Sequence, residues 1–220
     1  MENHTLPAGF PNLFLPKHSV AIRIWHWITF LFVASSMVTV LFASTLLDPR
    51  DNTGMVQEQL QEKGLTVTQD QAFAVSHEYE DKVWDVHKWI GFGIVCLLIS
   101  RLVIELLQPG EEKLRSRLKS AIALYKQNDS LKKTYRHFIG VKLTYTLFYV
   151  LILCMALTGL GMAFGRDLGI PRNVYGAIKE IHSIVQYCMY AFVPVHLGGV
   201  IVADTTEAKG IVSGMINGNR

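Results

Sequence analysis

Between Ile24 and Leu47 the chain carries no Asp, Glu, Lys or Arg, and between Ile181 and Ala203 it again carries none. The hydrocarbon core of a bilayer is roughly 30 Å thick, and about 20 apolar residues cross it as a helix. Both runs are long enough. Two further stretches, about Val83 to Leu107 and Phe138 to Phe164, join them. Half of the 220 residues are apolar and 18% are charged, below the roughly 25% usual in soluble domains. The apolar residues sit in these runs and not in an even mixture. The expectation is an all-α, integral-membrane four-helix bundle, one domain over residues 1–220. Its helices are expected at about 20–47, 83–107, 138–164 and 180–203.

The segments between the runs differ in charge. Residues 1–19 form a leader with Pro7, Pro11 and Pro16. The apolar run that follows is too long for the usual signal-peptide core of about 7–15 residues, so it reads as a retained first helix. Residues 48–82 are acidic, with Asp48, Asp51, Glu58, Glu62, Asp70, Glu78, Glu80 and Asp81 against Arg50, Lys63 and Lys82. Met55 to Lys63 reads as a short helix stopped by Gly64, and Thr68 to Asp81 as another running into the second span. Pro109-Gly110 ends that span. Residues 111–137 are basic, and Leu114, Leu118, Ile122 and Tyr125 repeat there at helical spacing. That stripe suits a short amphipathic helix on the membrane surface; a solvated helix packed on a partner fits equally well. Arg166 to Lys179 reads as a polar link containing Pro171, and the tail from Asp204 as polar and glycine-rich.

Lys and Arg favour the cytoplasmic side in short loops. The basic connection between the second and third helices is therefore expected inside, with both termini. The acidic segment 48–82 then faces the opposite side, periplasmic in a bacterium.

Ionisable residues within a span are costly and usually functional. His26 and His87 stand near the starts of the first two spans, His182 near the start of the fourth and His196 near its end. Helix direction puts His26 and His196 at the inner level and His87 and His182 at the outer one. His182 and His196 are 14 positions apart (196 − 182), nearly four whole turns, so they project from almost one face about 21 Å apart along the axis. Two flat cofactors can stack at that separation. Two neutral imidazoles per iron make a six-coordinate haem suited to electron transfer, and bundles build such sites from facing side chains. The cofactors implied are two non-covalent b-type haems (protohaem IX), each held by two histidines: His26 with His196, His87 with His182.

Gly91 follows His87 by one turn; without a side chain it lets a porphyrin approach backbone, or lets two helices pack closely. Gly159, Gly161, Gly198 and Gly199 carry the same two readings. Arg23, one turn before His26, and Arg101 can each pair with an anionic propionate of the inner haem; Arg101 can equally snorkel to the lipid surface. His18 and His137 read as surface histidines, with proton relay the second reading, and His4 and His77 have no paired partner. Cys96, Cys154 and Cys188 lie in apolar runs, outside any C-x-x-C-H motif, so covalent haem is not indicated. They read as small apolar residues.

These residues carry a family resemblance. Arg23-Ile24-Trp25-His26-Trp27, His87-x-x-x-Gly91 with Arg101, the His182/His196 spacing and the closing run Ile211 to Arg220 resemble the bacterial cytochrome b561 superfamily. The likeness is greatest to the b-type cytochrome subunits of membrane-bound nickel-iron hydrogenases. It covers the chain from about Lys17 onwards. It implies a di-haem carrier in the bacterial inner membrane, in contact with lipid. Electrons would pass between a periplasmic iron–sulfur or cytochrome subunit and quinone, the substrate. Lys17, His18, Arg23, Arg136 and His137, on the inner side, are the expected surroundings of the quinone.

Two rival readings stay open at this stage. One is a free-standing quinol oxidoreductase reacting with a small oxidant such as superoxide; a stable periplasmic partner separates the two. The other is a small transporter with a histidine proton relay, which would contain no haem. No nucleic-acid partner is expected. Donor, quinone type, direction of flow and oligomeric state are left open by the sequence.

Overall fold

A computed structural model describes residues 19–107, 132–206 and 210–218 of the chain. The leader, most of the expected surface helix over 111–137 and the side chain of His137 lie outside the described residues. Six helices are seen: α1 Val20–Ser44, α2 Pro49–Glu62, α3 Gln69–Leu107, α4 Lys132–Ala163, α5 Arg172–Thr205 and α6 Ile211–Ile216. Among the described residues there is no strand. Four helices are long and apolar enough to cross a membrane: α1, α3, α4 within Leu143–Ala163, and α5. The fold is thus the expected all-α integral-membrane type. Leu107 is 80% exposed, Leu106 73% and Val195 70%. In water such surface would be a liability, whereas hydrocarbon costs it nothing. Helices suit this solvent because every backbone polar group is satisfied within the segment.

The polar ends are set by local chemistry. Asp48 caps α2, accepting from the Arg50 N–H at 2.9 Å, and Pro49 takes the first helical position. At the far end Gly64 adopts φ +76°. Leu65 N–H reaches Leu60 O at 3.0 Å and Gly64 N–H reaches Gln61 O at 2.9 Å, the paired bonds of a Schellman stop. Thr68 and Gln71 then open α3 reciprocally. The Thr68 hydroxyl accepts from Gln71 N–H at 3.3 Å, and the Gln71 side chain accepts from Thr68 N–H at 2.9 Å. That capping box fixes where α3 starts; from there the expected outer helix and the second span run on as one element of 39 residues. At about 1.5 Å per residue α3 is about 58 Å long, nearly twice a bilayer core. Its polar first part, 69–82, stands outside the span.

Three helix starts differ from expectation. α2 begins at Pro49, α4 at Lys132 and α5 at Arg172; each of these early turns is polar and leaves no apolar signature. Most of the expected link 166–179 is therefore the first part of α5, with Tyr175 N–H bonded to Pro171 O at 2.9 Å. The tail contains α6, which follows Gly210 at φ +82°.

The chain divides into two compact units. One comprises Trp25–Ile99 and Ala156–Lys179, the other Met1–Ile24, Ser100–Met155 and Glu180–Arg220. In the first, α1 meets α3 where the Phe32 ring lies against Gly93. Trp25 Nε1 also donates to Leu97 O at 2.9 Å, and Gly165 is buried beside Tyr175. In the second, Phe148 of α4 packs on Phe192 of α5 with centroids 5.5 Å apart. The α6 end closes on α1 there, the Ile216 carbonyl accepting from Arg23 Nη1 at 3.4 Å.

Candidate functional site

His87 is half-buried on α3, in the first unit. Its Nδ1 lies 2.9 Å from the Thr39 hydroxyl of α1. Thr39 is itself buried and bonds Ser36 O at 2.7 Å. The Trp84 ring meets the imidazole edge-on at 5.5 Å, and Trp84 Nε1 is held by Glu80 at 2.8 Å. The imidazole thus has one nitrogen engaged and its plane set from a second side.

His26, on α1 in the same unit, is half-buried with the Trp27 ring edge-on at 5.7 Å. The neighbouring Trp25 bond to Leu97 fixes this turn of α1 against α3.

His182 and His196 both belong to α5 and to the second unit. Both are half-buried. His196 stacks on Phe192 at 5.8 Å with 7° between the planes, and Phe192 rests on Phe148. Pro194 sits inside α5 two residues before His196. It brings no N–H, so the regular ladder is interrupted between the two histidines.

Arg23 and Arg101 are in the second unit as well. Arg101 Nε donates to the Tyr149 hydroxyl at 3.0 Å and Nη2 to Glu105 at 3.1 Å. Its side chain is 16% exposed. Its Nη1 is buried without a hydrogen-bond partner, as is Nε of Arg23. Gly218 lies so close to the Arg23 guanidinium that a Cβ there would stand 2.6 Å from Nη1. A buried guanidinium N–H left without an acceptor costs energy, and an anion such as a carboxylate relieves it. These donors fit haem propionates.

Gly91 is not a packing glycine. A Cβ there would meet nothing within 4 Å, and the same holds at Gly198 and Gly199. A Cβ added at Gly161 would stand 3.4 Å from Ile178, and one at Gly93 would overlap the Phe32 ring. His77 lies on the aqueous part of α3, 3.3 Å from Asp81 and 4.0 Å from Glu80. A hydrogen bond to its own backbone, then the Asp81 carboxylate, hold its pKa above the ordinary value. Cys96, Cys154 and Cys188 are free thiols. His4, His18 and Lys17 lie outside the described residues, as do the side chains of Arg136 and His137. Among the described residues no three His, Cys, Asp or Glu gather to hold a bare metal ion; a haem iron asks for two axial side chains only.

The site therefore includes residues that sequence reading missed: Thr39, Trp84, Tyr149, Glu105 and Phe192. Trp84, Glu105 and Phe192 were within reach, three or four positions from a singled-out residue on the same helix. Thr39 and Tyr149 were not, since each is 48 positions from its partner.

A family model described as prokaryotic cytochrome b561 matches residues 17–218. No curated protein and no solved structure matches the chain.

Proposed function

The chain belongs to the prokaryotic cytochrome b561 family, and from that premise we propose that it is a di-haem carrier linking a periplasmic redox partner of hydrogenase type to the quinone pool. Family and fold together make it a multi-pass membrane b-type cytochrome working in electron transfer. The two-haem state, the quinone, the partner and the bacterial inner membrane are the proposed part.

The observation that carries the reading is the setting of four histidines on spanning helices. His26, His87, His182 and His196 are all half-buried while their neighbours Trp27, Val86, Ile181 and Val195 are exposed. Polar rings turned away from the exposed surface of a span are usually functional. Helix direction supports His26 with His196 for an inner haem and His87 with His182 for an outer one. Haem, when bound, would supply a one-electron centre, and His26, His87, His182 and His196 would hold it. The chain's part is to present neutral imidazole nitrogens and to keep water away with apolar spans. Arg23 and Arg101 offer N–H groups to the propionates, and Gly91 leaves space one turn beyond His87.

Quinone exchange is assigned to the cytoplasmic side, where helix direction and the positive-inside bias put Lys17, His18, Arg23, Arg136 and His137. These groups orient a carbonyl and hand protons to the reduced quinone. The partner is assigned to the opposite face. There the polar start of α3 exposes Phe73 and Tyr79 among Asp70, Glu78 and Asp81, an apolar and acidic mixture suited to a protein interface.

A pyridine haemochrome assay of the purified protein is expected to give about two protohaems per chain, with low-spin ferric absorption. One haem, or a high-spin ferric spectrum, would sink the ligand assignment.

A further inference from the structure

We infer that Thr39 is a positioning residue for the haem ligated by His87: its hydroxyl fixes the imidazole tautomer whose Nε2 is unprotonated and able to ligate iron. This rests on the proposed role of His87 as a ligand.

The argument is a count of protons. A threonine hydroxyl has one hydrogen to donate and two lone pairs. The Ser36 carbonyl, 2.7 Å from Thr39 Oγ1, can only accept, so it takes that hydrogen, as hydroxyls of helical threonines commonly do three or four residues back. Thr39 Oγ1 then has only lone pairs to offer at 2.9 Å from His87 Nδ1. For that contact to be a hydrogen bond, Nδ1 must carry the proton. In a neutral imidazole the lone pair is then on Nε2, the nitrogen able to coordinate.

The relay is buried and short. Thr39 is 9% exposed, and Ser36, Thr39 and His87 all belong to one compact unit. A hydrogen bond from the far nitrogen of a ligating histidine fixes ring orientation and raises ligand basicity. Greater basicity favours the ferric over the ferrous state, so the Thr39 bond holds that potential down. Trp84, edge-on at 5.5 Å, restricts the same ring from another side. An indole has a donor and no acceptor, and that donor is committed to Glu80. The tautomer therefore depends on α1 and not on the helix that carries the histidine.

The test uses the full-length holoprotein in Thr39→Val, Thr39→Ser and His87→Ala forms. Potentiometric titration and low-temperature EPR of the ferric haems are the readouts. Val keeps the shape and removes the hydroxyl; Ser keeps the hydroxyl. Thr39→Val is expected to raise the midpoint potential of one component and move its ferric low-spin signal, leaving the other in place. The affected component should be the one that His87→Ala removes, and Thr39→Ser should restore both readouts. Loss of one component in Thr39→Val but not in Thr39→Ser also supports the inference. Unchanged potentials and spectra in Thr39→Val, beside a component lost in His87→Ala, would overturn it and leave the ligand reading intact. Equal damage from Val and Ser would also overturn it, because the hydroxyl would not be the cause. If His87→Ala retains both haems, the ligand assignment itself is wrong.

Discussion

Arg101 donates from Nε to the Tyr149 hydroxyl at 3.0 Å, and its guanidinium carbon stands 5.8 Å from the centroid of the same ring. With Nη2 on Glu105, the fork is held on two sides and its buried Nη1 is the donor left over. If that donor meets a propionate, its positive charge favours the reduced haem. Arg101→Gln is then expected to lower the midpoint potential of one component. A unit charge about 8 Å away at an effective dielectric of 20 contributes about 2 kcal/mol, so the fall is on the order of tens of millivolts after screening. Tyr149→Phe keeps the charge and should move the potential less. Redox titration of the two variants checks this; an equal fall in both components goes against it.

Gly91 and Gly93 differ in what a methyl group would meet, although only Phe92 separates them. At Gly93 an added Cβ overlaps the Phe32 ring, and at Gly91 it meets nothing within 4 Å. Gly93→Ala should cost about 1–3 kcal/mol by overpacking. Part should return when Phe32→Leu is added, since the two changes share one contact. Gly91→Ala should leave the bare bundle as stable as before or slightly more so. Yet Gly91→Leu should weaken haem retention, because its bulk fills space beyond His87. Thermal loss of secondary structure and of haem absorbance, followed separately, distinguishes these effects.

The spans were legible because a bilayer demands long uncharged runs, and α1 and α5 contain them. The capping box Thr68–Gln71 and the stop at Gly64 were legible for a different reason: both are bonds between residues close in sequence. The start of α5 was hidden, because Arg172, Lys179 and Glu180 give a helical turn the composition of a loop. The family likeness and the half-buried histidines could be read from type and spacing alone. Thr39 could not, because nothing in a threonine announces a partner on another helix. The place of Pro194 inside the expected helix 180–203 was readable, but not that α5 would continue through it unbroken.

His77 gives a pH-dependent signal outside the membrane. Its own backbone hydrogen bond and then Asp81 hold its pKa above 6.5. The shift is upward in the folded protein, so the contribution is fully present below the unfolded value and fades as pH rises through the folded one. The ring is exposed and the pair screened, so the effect on stability is small. NMR titration of labelled histidine should nevertheless find His77 titrating above 6.5, and Asp81→Asn should bring it down. A value at or below 6.5 in the parent protein contradicts the pairing.

The proposed ligand pairs make the most discriminating prediction, and it needs only helix direction and depth. His26 opens α1 and His196 is near the end of α5, so successive spans of alternating direction put them at one level. His87, in α3, and His182, early in α5, share the other level. His26 with His182 would have to reach across the membrane, since 14 residues of α5 separate the two levels by about 21 Å. His26→Ala and His196→Ala should therefore remove or disturb one redox component, and His87→Ala and His182→Ala the other. Potentiometric titration with spectra of all four variants should resolve into two matched sets. A match between His26→Ala and His182→Ala would overturn the pairing and the topology behind it. Some variants will not hold the bundle together without their cofactor, as cofactor binding and folding are coupled. Histidine-to-methionine variants at the same positions keep an axial ligand, and the component whose potential rises identifies the iron each residue serves.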